Sequence, residues 1–480
     1  MESSSTYILI QNATVLSDGD SPVLPSHDIL IRNDRIIAVG QNLTEPSDGG
    51  LTRIAAGGAI AMPGFVDGHH HMWQQLLRGI ATDWTLFDYL VNIRNMYGGI
   101  FTPDDVYLAT YSAALSLLNN GVTTVLEHCH IINSPAHADA AVRALKDAGI
   151  RGTFCYGFYE NPFMPGLSSA ETHLPDFTPD ARNADAARVR KQYFGSNDPA
   201  QELLTFGTAP DEPEALPVEK TMEAIRKSRE LGARLITMHV AMGPCDAAHR
   251  HIVQQLADAD LLGPDLVFSH GASFTESELD AINASGAGIV GTPDTELQMG
   301  MGFPVVFRAK DAGCHACLGI DITSNQNNDF MAQMRLALQV QRALQNKQGG
   351  YPIKIARKTS EVLRMGTLGG AEVLQLDHII GTLEVGKKAD ILLISRDDID
   401  SLPTNDIVGS VVFHTSPSHI HTVIVDGKIK KTGGKLVEDV TEIRERVQKR
   451  GAEMMAQTCE HDLADSRQKW LQLLQGARLA

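Results

Sequence analysis

Three consecutive histidines, His69, His70 and His71, follow a short apolar run at Phe65-Val66. Alternate side chains of an extended strand share a face, so His69 and His71 point the same way and are spaced to hold one metal ion. Imidazole is the commonest protein ligand for zinc and also suits iron. A metal needs more ligands than two, and further polar residues stand where other apolar runs end. His239 closes Leu235-Ile236-Thr237-Met238, His270 closes Leu266-Val267-Phe268-Ser269, and Asp321 closes Leu318-Gly319-Ile320. Each is chemically suited to a single ion.

Residues so far apart converge only if the strands that carry them lie side by side. Candidate strands fall at 61–66, 123–126, 152–158, 204–209, 234–239, 266–269, 288–292 and 316–320. Helical patterns lie between most of them. Those at 104–119, 136–148 and 219–231 stop at or just before a glycine (Gly121, Gly149, Gly232), a usual helix stop. Strand then helix, repeated eight times, predicts an α/β fold of the (β/α)8 TIM-like barrel type, whose catalytic groups sit at strand C-termini. The stretch 159–202 interrupts the rhythm with several prolines and a basic helical piece at 187–192, and reads as a lid or an oligomer contact.

The chain ends differ from its middle. Residues 8–12 and 28–39 read as hairpin strands, as do 391–394, 411–413 and 421–425. The expected organisation is a small β-sandwich domain formed from both termini (1–60 plus 376–435), a catalytic barrel over 61–375, and a helical tail over 436–480.

The net charge of −17 over 480 residues argues against a nucleic-acid partner, which needs clustered Lys and Arg. Six cysteines are too few for a disulfide scaffold, and Cys314 and Cys317 are expected to be buried free thiols. No apolar run approaches the roughly 20 residues that cross a bilayer, and no signal peptide is evident. A cytoplasmic enzyme with a small-molecule substrate is expected, assembled as a homo-oligomer, a dimer.

The ordered combination resembles the amidohydrolase superfamily, in its branch of metal-dependent deaminases and triazine hydrolases that includes atrazine chlorohydrolase and 8-oxoguanine deaminase. It is carried by Pro63-Gly64-Phe65-Val66-Asp67-Gly68 before the histidines, Gly121-Val122-Thr123-Thr124-Val125, His239, His270, Leu318-Gly319-Ile320-Asp321 and the run 381–390, Gly-Thr-Leu-Glu-Val-Gly-Lys-Lys-Ala-Asp. The resemblance spans about residues 8–435. It implies that His69, His71, His239 and Asp321 bind one zinc or iron(II) ion per subunit. Binuclear relatives add a lysine from the fourth strand, and 204–210 contains none, so the implied site is mononuclear. Asp321 would take the proton of an attacking water whose pKa the cation lowers toward about 7, and His270 would stabilise the oxygen that gains charge.

One departure bears on the reaction. Deaminases of this branch carry a glutamate three residues after the fifth-strand histidine, and here that position is Met242. Ammonia loss needs an acid, worth roughly 10²–10⁴-fold. Glu296, Asp294 or Glu127 could supply it, or the leaving group needs none, or the reaction is a metal-assisted elimination by a lyase. The expected activity is hydrolysis of a C–N (non-peptide) or similar displaceable bond in a small cyclic nitrogen compound; an inert scaffold fits the intact ligand set poorly. Trp73, Gln74 and Glu296 are candidate substrate contacts, with Trp73 stacking on a flat ring or filling the barrel mouth. Met299, Met301 and Phe303 read as an apolar wall or as core, and His128 and His130 as structural histidines.

Overall fold

A computed structural model of the chain describes residues 5–161, 177–246, 248–349, 351–458 and 468. Eight parallel strands lie side by side in chain order: Phe65–His70, Val122–Cys129, Arg151–Gly157, Leu204–Ala209, Ile236–Val240, Leu266–His270, Gly288–Gly291 and His315–Leu318. The second to seventh are buried at every position, as expected of strands covered on both faces. The ring closes at its mouth through a bridge between His70 and Asp321. There the Asp321 amide donates to the His69 carbonyl at 2.9 Å, and the His71 amide to the Asp321 carbonyl at 2.8 Å. Barrel closure therefore fixes His69, His71 and Asp321 relative to one another through the backbone.

The intervening helices start and stop on local chemistry. Pro103–Asn119 begins with a reciprocal Thr102–Asp105 cap, and Glu276–Ser285 with the same device at Thr275–Glu278. Pro135–Ala148 ends at Gly149, whose φ of 64° suits glycine. After the first strand the chain instead makes short turns, Met72–Leu77 and Leu86–Tyr89, and a π-helical segment, Leu90–Tyr97. Such segments recur at functional sites.

Strands from both ends of the chain join one mixed sheet of nine. Ile60–Pro63 pairs in parallel with Thr6–Val15 and antiparallel with Ile391–Ile394, which continues to Ile420–Val425, Lys428–Thr432 and Lys435–Leu436. Its apolar core includes Ile8, Ile10, Ile29, Ile31, Ile391 and Ile424. Cys314 and Cys317 are buried free thiols.

Three segments differ from the sequence reading. The strand expected over 61–66 is two strands: Ile60–Pro63 belongs to the mixed sheet, and the barrel strand starts at Phe65. They part at Gly64, where a Cβ would stand 2.0 Å from the Thr123 hydroxyl oxygen, so only glycine fits. Residues 411–413, expected as strand, lie in the helix Ile407–Phe413, whose N-terminus Asp406 caps at the Gly409 amide. A three-residue apolar run has no periodicity of its own, so the cap decided the outcome. The basic piece at 187–192 belongs to a longer helix, Pro179–Tyr193, while residues 162–176 of that insertion lie outside the described residues. The tail helix runs Thr441–Thr458, and beyond it only residue 468 is described.

Candidate metal centre and active site

At the barrel mouth His69, His71, His239, His270 and Asp321 come together, each at or just past the C-terminal end of a strand. His70, between the paired histidines, instead bonds Asp67 through Nδ1 at 2.9 Å, and Asp67 also accepts from the Ile320 amide. Two members of the group sit on strained backbone: φ is 80° at His270 and 73° at Asp321. Left-handed conformations of non-glycine residues cost about 1–3 kcal/mol each and persist where the surroundings impose them.

Outer hydrogen bonds set the imidazole tautomers. His71 donates from Nδ1 to the His128 carbonyl at 2.7 Å, and His239 donates from Nδ1 to the Glu212 carboxylate at 3.0 and 3.1 Å. A carbonyl and a carboxylate only accept, so both protons are on Nδ1 and both Nε2 atoms present lone pairs. Those two Nε2 atoms stand 3.2 Å apart. Facing lone pairs repel unless a cation lies between them. Asp321 Oδ1 lies 3.3 Å from His69 Nε2 and 3.4 Å from His71 Nε2, and Ser269 holds His69 Nδ1 at 2.8 Å. His69 Nε2 is buried and makes no hydrogen bond among the described residues. Outer partners on Nδ1 with converging inner Nε2 atoms are what a histidine-bound ion requires, and the residues fit a metal.

The electrostatics agree. Burial pushes His69 down to about 4 and His71 well below its usual value, so both are neutral and able to ligate. Burial acts to raise the Asp321 carboxyl, but His69, His270 and His71 outweigh it and hold it ionised. His270 runs the other way: burial opposes its charge, yet Glu296 and Asp321 raise it above its usual value. It bonds the Thr292 hydroxyl at 3.1 Å, with Glu296 3.6 Å from the same nitrogen.

Beside these groups lies a small, partly open cavity, walled by Leu86, Leu90, Met242, Met299 and Met301 and reached by Tyr89, Arg94, Glu212, His130, His270 and Asp321. Convergent polar groups in an apolar cavity make it the candidate substrate site. Met299 and Met301 form the expected wall, whereas Phe303 is 56% exposed.

The three candidate substrate contacts lie one layer out. Trp73 is fully buried against Phe101 and donates from Nε1 to His130 at 2.9 Å, so it fills the mouth and steadies His130. Gln74 donates to the Tyr89 hydroxyl and accepts from Ser324, both at 2.6 Å, and so orients Tyr89. Glu296 is buried behind His270, accepting from the Thr292 amide at 2.7 Å. The other candidate acids are also engaged away from the cavity. Asp294 accepts from Gln333, and Glu127, pushed up to about 8 by burial, accepts from the Met72 amide.

Besides Asp321, the carboxylate that reaches the cavity among the described residues is Glu212, just beyond the fourth strand. It bonds His239 and stands 3.8 Å from Arg94. In the sequence, 204–210 is informative mainly for its missing lysine; the signal for Glu212 was the acidic run Asp211-Glu212-Pro213-Glu214 immediately after it.

A parallel eight-stranded barrel with histidines and an aspartate converging at its mouth defines a barrel hydrolase of the metal-dependent kind. A model of the Amidohydrolase family matches residues 60–430. The 5-methylthioadenosine/S-adenosylhomocysteine deaminase of Thermococcus kodakarensis is 28% identical over 429 residues, covering 88% of this chain and 93% of that protein. The 5'-deoxyadenosine deaminase of Methanosarcina barkeri is 25% identical over 459 residues, covering 93% and 98%. Among solved structures, atrazine chlorohydrolase from Arthrobacter aurescens complexed with zinc superposes with a TM-score of 0.77 at 22% identity, covering 92% of this chain and 100% of that one. The chain belongs to the amidohydrolase family. It is an enzyme, a hydrolase with a metal-binding histidine cluster; among the described residues no helix is long and apolar enough to cross a membrane.

Proposed function

We propose that this protein hydrolyses a C–N or similarly displaceable bond in a small cyclic nitrogen compound, with one zinc or iron(II) ion held by His69, His71, His239 and Asp321. The observation that carries the reading is the pair of Nε2 lone pairs facing each other at 3.2 Å beside the Asp321 carboxylate. Bound there, the ion supplies Lewis acidity and lowers the pKa of water. Asp321, ionised at the cavity wall, accepts the proton of the attacking water. His270 donates to the oxygen that gains charge, with Thr292 and Glu296 holding its far nitrogen.

Amine departure requires a proton, which Met242 cannot deliver. Glu212 lines the same cavity from a different strand; burial acts to raise its carboxyl but His239 and Arg94 outweigh it and keep it ionised, so it takes over this task as a relay that passes to the departing amine the proton Asp321 takes from water. The elimination reading drew on Met242 alone, and Glu212 removes its premise. The names of the relatives direct the first screen to adenosine-type nucleosides and triazines, assayed for ammonia release. Turnover in ¹⁸O-water is expected to place one labelled oxygen at the attacked carbon; an unsaturated, unlabelled product would overturn hydrolysis. Glu212→Gln keeps an acceptor for His239 and is expected to retain metal while kcat falls roughly 10²-fold or more. Unchanged kcat would remove Glu212 from proton transfer.

A further inference from the structure

One wall of the cavity comes from a single stretch of chain. Leu86, Tyr89, Leu90 and Arg94, on the turn Leu86–Tyr89 and the π-helical segment Leu90–Tyr97, all line it. Spacings of three to four residues keep side chains on one helical face, so two leucines and two polar tips are presented together. His130 borders the same cavity. Outer partners fix what each polar group offers the interior.

Tyr89 is buried, and its hydroxyl oxygen accepts from Gln74 Nε2 at 2.6 Å. Ser324 holds the Gln74 amide in that orientation by donating to Oε1 at 2.6 Å. Turning the amide over would leave the fully buried Ser324 hydroxyl proton without an acceptor among the described residues. Tyr89 therefore accepts from Gln74 and directs its own O–H proton elsewhere. Burial pushes the phenol above its usual range, and Arg94, Asp321 and Glu212, all bordering the cavity, are the charges that act on it. The Trp73 indole N–H only donates, so His130 receives it at Nδ1 and carries its own proton on Nε2. Arg94 has donors alone: Nε bonds Asn161 at 3.1 Å, the guanidinium covers the Tyr159 ring at 4.7 Å, and Nη1 stands 3.8 Å from Glu212. Asn161 is anchored to the His130 carbonyl at 2.8 Å and to Asn133 at 3.0 Å, which ties Arg94 and His130 into one unit.

We infer that Tyr89, His130 and Arg94 form a donor wall that selects an oxo oxygen on the ring of the substrate. This rests on the cavity being the site of ring hydrolysis. A carbonyl oxygen has two lone pairs and takes two of these donors at once, whereas an amino group in its place turns hydrogens toward hydrogens. A carboxylate fits less well, because Glu212 already supplies the negative charge beside Arg94. The expected substrates are oxo-substituted amino heterocycles, and rings bearing amino groups alone are rejected.

The test uses the full chain loaded with zinc and two matched pairs of probes that differ by one oxo-for-amino exchange: ammeline against melamine, and cytosine against its diamino analogue. Ammonia release gives kcat/KM, and calorimetric titration gives Kd for any pair that is not turned over. The parent is expected to favour the oxo member by about 10²-fold or more, because donors left unpaired penalise the other. Tyr89→Phe removes one donor with little change of shape and should narrow that preference by about 10-fold, mainly through KM, with zinc content unchanged. Arg94→Met should narrow it in the same sense. Equal or better use of the amino member by the parent, or an unchanged preference in Tyr89→Phe, would overturn the inference, as would binding of neither pair. Selective binding of the oxo members without ammonia release would support the donor wall and overturn the hydrolysis beneath it. If Tyr89→Phe fails to fold, judged by thermal unfolding, the preference of the parent and of Arg94→Met decides.

Discussion

The two ends of the barrel treat buried charge in opposite ways. At the floor, Arg151 opens the third strand fully buried and donates to Asp390 at 2.6 and 3.2 Å and to Asp426 at 2.7 Å. Lys388 reaches Asp426 at 3.1 Å and also pairs with Asp34, while the Asp426 amide donates to Asp390 at 2.7 Å. Each buried charge there has a protein partner, and the cluster fastens the mixed sheet to the barrel. At the mouth, His69 Nε2 makes no hydrogen bond among the described residues, two lone pairs oppose each other, and His270 and Asp321 sit on strained backbone. The floor is complete as folded, whereas the mouth is completed by what binds. Full pairing marks a structural cluster and systematic incompleteness marks a functional one.

Removing ligands at the mouth should break the comparison most visibly. The double variant His69→Ala/His71→Ala is expected to lose its metal in elemental analysis and to fall by about 10³-fold or more in kcat, since the ion contributes several kcal/mol to the transition state. Its metal-free fold should be as stable as the stripped parent or more so, because repelling groups are gone. A marked loss of stability in the stripped variant would make the mouth a structural cluster after all.

The floor should respond in the reverse sense. Arg151→Met leaves Asp390 and Asp426 buried without their cation, and is expected to cost about 3–5 kcal/mol in a denaturant melt. Zinc bound per folded molecule should not change. Altered metal affinity would mean that floor and mouth are coupled through the third strand.

The smallest effect is a pH dependence that sharpens the contrast. Burial acts to raise the Asp426 carboxyl, but Arg151 and Lys388 outweigh it and hold it below its ordinary 3.8. A carboxyl depressed in the folded state adds stability that is fully present above its unfolded pKa and is lost as pH falls through the folded value. The stability gap between the parent and Asp426→Asn, read from urea midpoints, should therefore be constant at neutral pH and shrink below about pH 4. A gap that widened on acidification would contradict the pairing.

The sequence by itself determined the barrel, the sharing of a small β-domain by both termini, and the convergence of His69, His71, His239, His270 and Asp321. These follow from local rules: period-two strands, glycine stops, and the placing of strand C-termini on one face of a parallel barrel. Other features required the tertiary structure. The break at Gly64 depends on the approach of Thr123, which is distant in sequence. Trp73 and Gln74 come just after the metal-site histidines, yet they pack against and bond His130 and Tyr89. Glu212 reaches the cavity that Met242 also lines because the loop beyond the fourth strand folds onto His239. Sequence pattern decides which end of a strand a residue occupies, whereas the partners of a side chain are chosen by non-local packing.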